Sequence, residues 1–221
     1  MATYLVTGAS RGIGLELTKQ LLELPASQAR KVFAVTRSSP SGPLQAIIQE
    51  SPDRAISILA SVDNTESVQK AAHEIETQLN TGGLDVLINN AGITRFSPRG
   101  SIAMPPEQLA DVFNVNVIGA QRMISGFLPL LEKGEQKKVV SMYVLSYQLA
   151  SGSRFGAVLT LDNRSPSMGS ITLCKSYRCA PSQAYKVSKA ALHMLNAQYA
   201  MEHADAGFTF LCLSGGMSSQ R

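Results

Sequence analysis

Short apolar runs alternate with longer amphipathic stretches along this chain. The run Leu84–Asn89 is apolar almost throughout, which is typical of a strand buried on both faces of a parallel sheet. Parallel strands need crossover connections, usually helices, so the alternation predicts an α/β fold in which helices cover both faces of a parallel sheet. The predicted strands are Thr3–Thr7, Lys31–Thr36, Ala55–Ala60, Leu84–Asn89, Lys138–Met142 and Phe208–Leu213.

The amphipathic stretches predict the helices that cover this sheet. Apolar residues recur at helical spacing in Gly14–Leu24, which Pro25 ends, and Gly82-Gly83 is a typical stop for another helix. The sequence has no internal repeat, and the pattern predicts a single domain over residues 1–221. The other predicted helices are Pro43–Glu50, Ser67–Leu79, Pro106–Leu131 (one long helix or a bent one) and Ala184–His203.

One segment has neither the helical nor the strand period. It runs from Tyr143 to about Pro166, directly after the fifth predicted strand. A loop of this length without structure of its own is uncommon in a compact domain. We therefore expect an irregular insertion at about 143–166.

Composition narrows the class of protein. The chain has 221 residues, 44% of them hydrophobic and 16% charged, and a net charge of +4 without a run of lysines and arginines. Its three cysteines and three histidines are dispersed, and no apolar stretch is long enough to span a membrane. We expect a cytoplasmic protein that binds no metal, no nucleic acid and no membrane.

The first predicted strand leads into a glycine-rich turn, and a helix follows that turn. Glycine allows positive φ and lets a pyrophosphate approach without a Cβ in the way. The start of the helix presents free N–H groups to the phosphates. The pattern predicts dinucleotide binding, with the cofactor contacted by Gly8, Ser10, Arg11, Gly12, Ile13 and Gly14.

The end of the second strand indicates which dinucleotide is bound. NAD sites usually place an acidic residue there, yet the sequence has none between Glu23 and Glu50. Arg37 at the strand end and Arg11 in the glycine loop can meet a 2′-phosphate with charge-assisted hydrogen bonds. The sequence favours NADP(H) over NAD(H); the alternative is that either arginine is simply a solvated loop residue.

Tyr185 and Lys189 lie four residues apart and therefore on one face of the last predicted helix. A lysine ammonium near a phenol lowers the pKa of that phenol and makes it a usable general acid or base. Many helices contain this pair by chance. Its meaning depends on the rest of the sequence.

Four motifs occur in order: Thr7-Gly8-x-x-x-Gly12-x-Gly14, Asn89-Asn90-Ala91-Gly92, Asn116, and Tyr185-x-x-x-Lys189. Together they resemble the short-chain dehydrogenase/reductase family over residues 3 to about 214. The resemblance implies a Rossmann-type, doubly wound sheet and an oxidoreductase that acts on a small carbonyl or alcohol.

The resemblance also implies residue roles. Tyr185 would protonate the carbonyl oxygen, and Lys189 would assist it and hold the nicotinamide ribose. Asn116 would position a water, and Asn90 and Gly92 would line the cofactor cleft. Near the end of the third strand, the residue that contacts adenine would be Ser61 or Asp63.

Within the family, the chain is similar to norsolorinic acid ketoreductase-like enzymes of fungi and to sniffer-type carbonyl reductases. Gly169-Ser170-Ile171-Thr172 and Tyr177-Arg178-Cys179-Ala180-Pro181-Ser182 carry this similarity. It implies a substrate of secondary metabolism.

The chain departs from the family in two places. The catalytic serine normally follows the fifth strand, but here Tyr143-Val144 stand at that position. Ser167 is the first candidate for the role, with Ser165 and Ser141 as alternatives. After Ser214-Gly215-Gly216-Met217 the sequence lacks the covering helix and seventh strand of the family.

These departures leave two functions open: an active carbonyl reductase, and a dinucleotide-binding pseudoenzyme or regulatory protein without turnover. By analogy with the family, we also expect a homodimer that pairs through the two long helices.

Overall fold

The computed structural model describes residues 1–143, 169–171 and 181–214. Within them, six parallel strands form one sheet in the order β3-β2-β1-β4-β5-β6. All six strands of the sequence prediction are confirmed, with ends that differ by one or two residues. The strands are β1 (Ala2–Thr7), β2 (Ala29–Thr36), β3 (Ala55–Leu59), β4 (Val86–Asn89), β5 (Lys138–Tyr143) and β6 (Thr209–Ser214).

Helices cover both faces of this sheet, as predicted. Leu5 and Leu87 face a core that α3 and α5 complete, while Val6 and Ile88 face a second core that α1 and α2 complete. The helices are α1 (Gly12–Glu23), α2 (Gly42–Glu50), α3 (Thr65–Leu79), α4 (Pro106–Phe113), α5 (Gly119–Glu132) and α6 (Gln183–Glu202). The doubly wound, Rossmann-type fold is therefore confirmed.

The strand order reverses direction between β1 and β4. In open parallel sheets, ligands bind in the crevice outside the carboxyl ends of the strands at this switch point. The glycine loop after β1 and the Asn89–Gly92 turn after β4 both lie there. The fold thus brings two of the sequence motifs to one place.

The end of α3 differs from the predicted glycine stop. The helix ends at Leu79 as expected, but the residue with positive φ is Asn80, at 55°. Gly83 is needed for another reason, since a Cβ there would overlap the backbone of Lys133 and Gly134. Gly83 serves the close approach of two loops, whereas the Gly82 nitrogen donates to the Leu79 carbonyl oxygen at the helix end, at 3.0 Å.

The predicted helix Pro106–Leu131 is one helical run with an irregular turn in its middle. Residues Asn114–Ile118 form a π-helical turn between α4 and α5. A π turn holds an extra residue and changes which side chains face inward, and it often marks a functional site. Asn116 lies at its centre and is almost fully buried.

Among the described residues, none of the helices combines the length and apolar character required to cross a membrane.

Candidate active site

The glycine loop has the backbone that a phosphate-binding turn requires. Gly8 and Gly12 take φ values of 68° and 59°, which side-chain-bearing residues rarely adopt. A Cβ at Gly14 would overlap the carbonyl oxygen of Gly8. Each glycine of the motif therefore has a steric reason, and the loop closes tightly at the start of α1.

Side chains from β1 and β4 fix this loop to the sheet. The Asn90 amide nitrogen donates to the Thr7 carbonyl oxygen at 2.9 Å and reaches the Gly8 carbonyl oxygen at 3.4 Å. The Thr7 hydroxyl accepts hydrogen bonds from the backbone nitrogens of Asn90 and Ala91, at 3.0 and 2.9 Å. Asn90 thus positions the loop backbone itself.

The open side of the loop fits a dinucleotide. Gly12 is exposed, and no atom lies within 4 Å of the place where its Cβ would be. Ser10 and Arg11 beside it are exposed, Ile13 is half-buried, and Arg37 is exposed directly after β2. The loop therefore offers backbone N–H groups and two accessible guanidinium groups on one edge of the sheet.

The end of β3 supplies the next part of this edge. Asp63 is exposed and its carboxylate accepts a hydrogen bond from the Ser61 hydroxyl. Asn64 caps α3, where its Oδ1 accepts from the Ser67 nitrogen at 2.8 Å. Ser61 and Asp63, the two residues considered for adenine contact, are thus bonded to each other.

Asn116 connects three elements at the centre of the site. Its amide group bonds both backbone atoms of Ile93: Oδ1 accepts from the nitrogen at 2.8 Å, and Nδ2 donates to the oxygen at 2.9 Å. The same nitrogen reaches the Ser188 hydroxyl on α6 at 3.0 Å. A Cβ at Gly92 would approach Asn116 Oδ1 to 3.2 Å, so glycine suits that position.

Tyr185 and Lys189 are buried side by side on α6. Each side chain is 4% exposed, and the Lys189 ammonium lies 5.4 Å from the centroid of the Tyr185 ring. The ammonium donates to the Met142 carbonyl oxygen at the end of β5, at 2.9 Å. Burial lowers the pKa of Lys189 to about 8, and the neighbouring Cys212 opposes this shift in part.

The structure does not bring Ser141 to this pair. Ser141 is fully buried within β5, and its hydroxyl donates to Asn196 Oδ1 at 3.1 Å. Asn196 follows Tyr185 by about three turns of α6. Ser165, Ser167 and most of the Tyr177–Ser182 motif lie outside the described residues.

Three contributors to the site were not singled out from the sequence. Ser188 bridges Asn116 to α6, and its hydroxyl also donates to the Tyr185 carbonyl oxygen at 2.8 Å. The Met142 carbonyl holds Lys189. Asn89 is buried and lines the same small cavity as Lys189. Backbone acceptors leave no signal in a sequence, whereas the spacing of Ser188 and Asn89 within their motifs could have indicated a role.

Comparison with known proteins shows which family the chain resembles. The sequence profile of the short chain dehydrogenase family matches residues 2–151. The chain is 31% identical to the short-chain dehydrogenase/reductase atnB of an Arthrinium species, over 98% of this chain and 74% of that protein. It is 30% identical to the short-chain dehydrogenase/reductase AacuF of Aspergillus aculeatus, over 100% of this chain and 75% of that protein.

Solved structures of carbonyl reductases have a similar fold. The chain resembles an NADPH-bound carbonyl reductase from chicken fatty liver with a TM-score of 0.80 and 25% identity, over 100% of this chain and 81% of that one. The carbonyl reductase Sniffer of D. melanogaster shares the fold with a TM-score of 0.77 at 24% identity, over 96% of this chain and 79% of that one. The chain belongs to the short chain dehydrogenase family.

Proposed function

We propose that this protein is an NADP(H)-dependent oxidoreductase that reduces a carbonyl group, or oxidises the corresponding secondary alcohol, with Tyr185 as the general acid and base. The observation that carries the proposal is the buried Tyr185–Lys189 pair at the same sheet edge as the glycine loop. Asn116 links that pair to the turn after β4 through Ser188. The comparison with an NADPH-bound carbonyl reductase supports it.

The cofactor would lie across the switch point of the sheet. Its pyrophosphate would rest on the glycine loop and its 2′-phosphate between the two exposed arginines. When bound, a nicotinamide supplies hydride exchange with the carbon of a carbonyl or alcohol. The residues we assign to cofactor binding are Gly8, Ser10, Arg11, Gly12, Ile13, Gly14, Arg37, Asp63, Asn90 and Gly92.

The chain's own residues supply the proton. Tyr185 donates its phenolic proton to the substrate oxygen during reduction and takes it back during oxidation. The Lys189 ammonium stabilises the phenolate that remains. The Met142 carbonyl and the surrounding burial hold Lys189 in place, so little reorganisation is needed during the reaction. Ser167 is the residue we propose for holding the substrate oxygen.

The substrate is a small organic carbonyl compound. We place it in secondary metabolism, in line with the fungal origin of the two relatives above. The exposed apolar residues Val187, Met194 and Met201 recur every seven residues on α6 and support a homodimer that buries this row.

The direct test is oxidation of NADPH with a panel of ketones and quinones. The native chain should turn over at least one of them, and Tyr185→Phe should lower kcat by roughly a hundredfold or more while NADPH binding is retained. Undiminished turnover in Tyr185→Phe would refute the assignment of Tyr185. NADPH binding without turnover of any substrate would instead favour the pseudoenzyme.

A further inference from the structure

A layer of polar residues crosses the sheet directly beneath the candidate site. Asn89 of β4 pairs in register with Ser141 of β5, which pairs with Cys212 of β6. Residues paired in this way point to the same face of a sheet. Ser141 reaches Asn196 of α6 there, so the whole layer faces α6.

Asn89 is the exceptional member of this layer. Its side chain is 5% exposed, and in the described part of the chain neither its amide nitrogen nor its amide oxygen has a hydrogen-bond partner. Buried amide groups in native proteins are almost always paired, with protein atoms or with an ordered water. Since no atom of the described residues pairs with the Asn89 carboxamide, an ordered water is the partner to consider.

The space next to Asn89 identifies that partner. A small cavity has Asn89, Lys189, Asn116 and Thr7 in its wall and has room for about one water molecule. Internal waters typically make about three hydrogen bonds, which a site with several polar walls can supply. A carboxamide offers both a donor and an acceptor, and the lysine ammonium, which bonds the Met142 carbonyl oxygen, is a donor on the same cavity wall.

We propose that Asn89 is a positioning residue for Lys189 and acts through an internal water bound in this cavity. The Asn89 oxygen accepts from the water, and the water oxygen accepts from the ammonium. Because a carboxamide cannot titrate, this arrangement stabilises the ammonium without neutralising it. The inference rests on the proposed function of Lys189 and adds a buried residue that controls its protonation.

Other groups also act on the same ammonium. Tyr185 and His193 lie near it on α6, and Cys212 lies near it on β6. Burial, together with the charge of Lys189, lowers the pKa of His193. We expect these groups to stay in place when Asn89 is changed. A change in proton binding at Lys189 then reports on Asn89 and its water.

The test is direct titration of Lys189 by NMR in protein labelled at the lysine side chain, without cofactor or substrate. Asn89→Leu keeps the branched shape and the number of heavy atoms but removes the polar atoms, and it should weaken proton binding at Lys189 roughly tenfold. Asn89→Asp places a carboxylate in the cavity and should strengthen proton binding at Lys189 above the native value. The matched control is Asn196→Leu, which removes another buried amide of the same layer and should leave the titration unchanged.

Two outcomes overturn the proposal: a native titration in both Asn89 variants, or an equal effect of Asn196→Leu. If Asn89→Leu does not fold, Asn89→Ala, which also removes the carboxamide, decides through the same weakening of proton binding at Lys189. Because the readout needs no turnover, a failure of the proposed function would appear separately, as an absence of NADPH oxidation in the native chain.

Discussion

At the scale of single residues, two arginines account for the proposed choice of cofactor. Arg11 and Arg37 are both exposed at the edge of the sheet where the adenine end of a dinucleotide would lie. A guanidinium group binds phosphate with paired, charge-assisted hydrogen bonds. The ribose hydroxyl of NAD offers no such charge, so the arginines favour the phosphorylated cofactor.

Charge reversal at Arg37 should therefore separate the two cofactors. We expect Arg37→Glu to weaken NADPH binding by roughly a hundredfold, because it removes an ion pair and introduces repulsion. NADH binding should change little. Fluorescence titration of both cofactors measures this, with Arg30→Glu at the opposite end of β2 as the control. Equal losses for NADPH and NADH would remove Arg37 from the 2′-phosphate site.

Lys189 is a second residue whose protonation can be measured, because burying its ammonium lowers the free energy of unfolding. Its pKa in the folded chain is about 8, against an ordinary 10.5. Between these pH values the unfolded chain holds a proton that the folded chain has lost, so stability rises with pH in that window. At pH 7 both states are protonated, and the cost of burying the ammonium is fully present.

Lys189→Met should remove this dependence. Between pH 7 and pH 10 the free energy of unfolding of the native chain should rise by roughly 2–3 kcal/mol more than that of the variant. Only the native chain has a buried ammonium whose cost disappears when it loses its proton. Urea unfolding at the two pH values gives this difference, in which titrating groups remote from Lys189 cancel. A difference that is the same at both pH values would show that the ammonium is not buried as described.

At the scale of elements, the sequence was sufficient for the strands and for the glycine loop. Each is encoded locally, by an apolar run or by a turn whose glycines Gly8, Gly12 and Gly14 lie close together in the sequence. The π turn at Asn114–Ile118 was not predictable, because an apolar face looks alike in α- and π-helical turns. The contact between Lys189 and the Met142 carbonyl joins residues 47 positions apart, and only the folded sheet brings them together.

A buried carboxylate at the amino end of β4 holds several elements together. One oxygen of Asp85 accepts from the nitrogen and hydroxyl of Thr3, at 2.7 and 2.9 Å. The other accepts from the nitrogens of Glu135 and Gln136, at 2.8 and 3.2 Å. Asp85 thereby joins β1 and β4 to the turn before β5.

We expect Asp85→Ala to destabilise the fold by about 2–4 kcal/mol, because it leaves buried N–H groups without an acceptor. Asp85→Asn keeps the shape of the side chain, but its amide N–H group would face the N–H groups that the native carboxylate accepts from. It should therefore recover only part of the lost stability. Urea unfolding of the two variants measures both effects. The proposal that Asp85 joins these elements would be wrong if Asp85→Ala were as stable as the native chain.

At the scale of the whole molecule, the exposed apolar row on α6 bears on assembly. Met194 is 62% exposed in the middle of that row, and Val187 and Met201 flank it at seven-residue spacing. An apolar stripe on a helix surface marks an interaction site when it is contiguous. The two fold cores do not use these residues.

Met194→Glu should therefore convert a homodimer into a monomer, because an unpaired carboxylate would be buried at the centre of the interface. Sedimentation of the native chain and the variant tests this. The control is Ile102→Glu, which changes an even more exposed apolar residue in the loop before α4. A native chain that sediments as a monomer at all concentrations would end the dimer proposal.

The central claim is that Tyr185 and Lys189 complete a site in which a carbonyl is reduced by NADPH. Its most direct test is single turnover of a ketone with NADPH in which both hydrogens at the nicotinamide C4 are deuterium. Mass spectrometry then measures the deuterium content of the alcohol. We predict one deuterium at the carbinol carbon with the native chain, and almost no deuterated alcohol with Tyr185→Phe. Alcohol formed without deuterium by the native chain, or equal deuteration by Tyr185→Phe, would contradict this account.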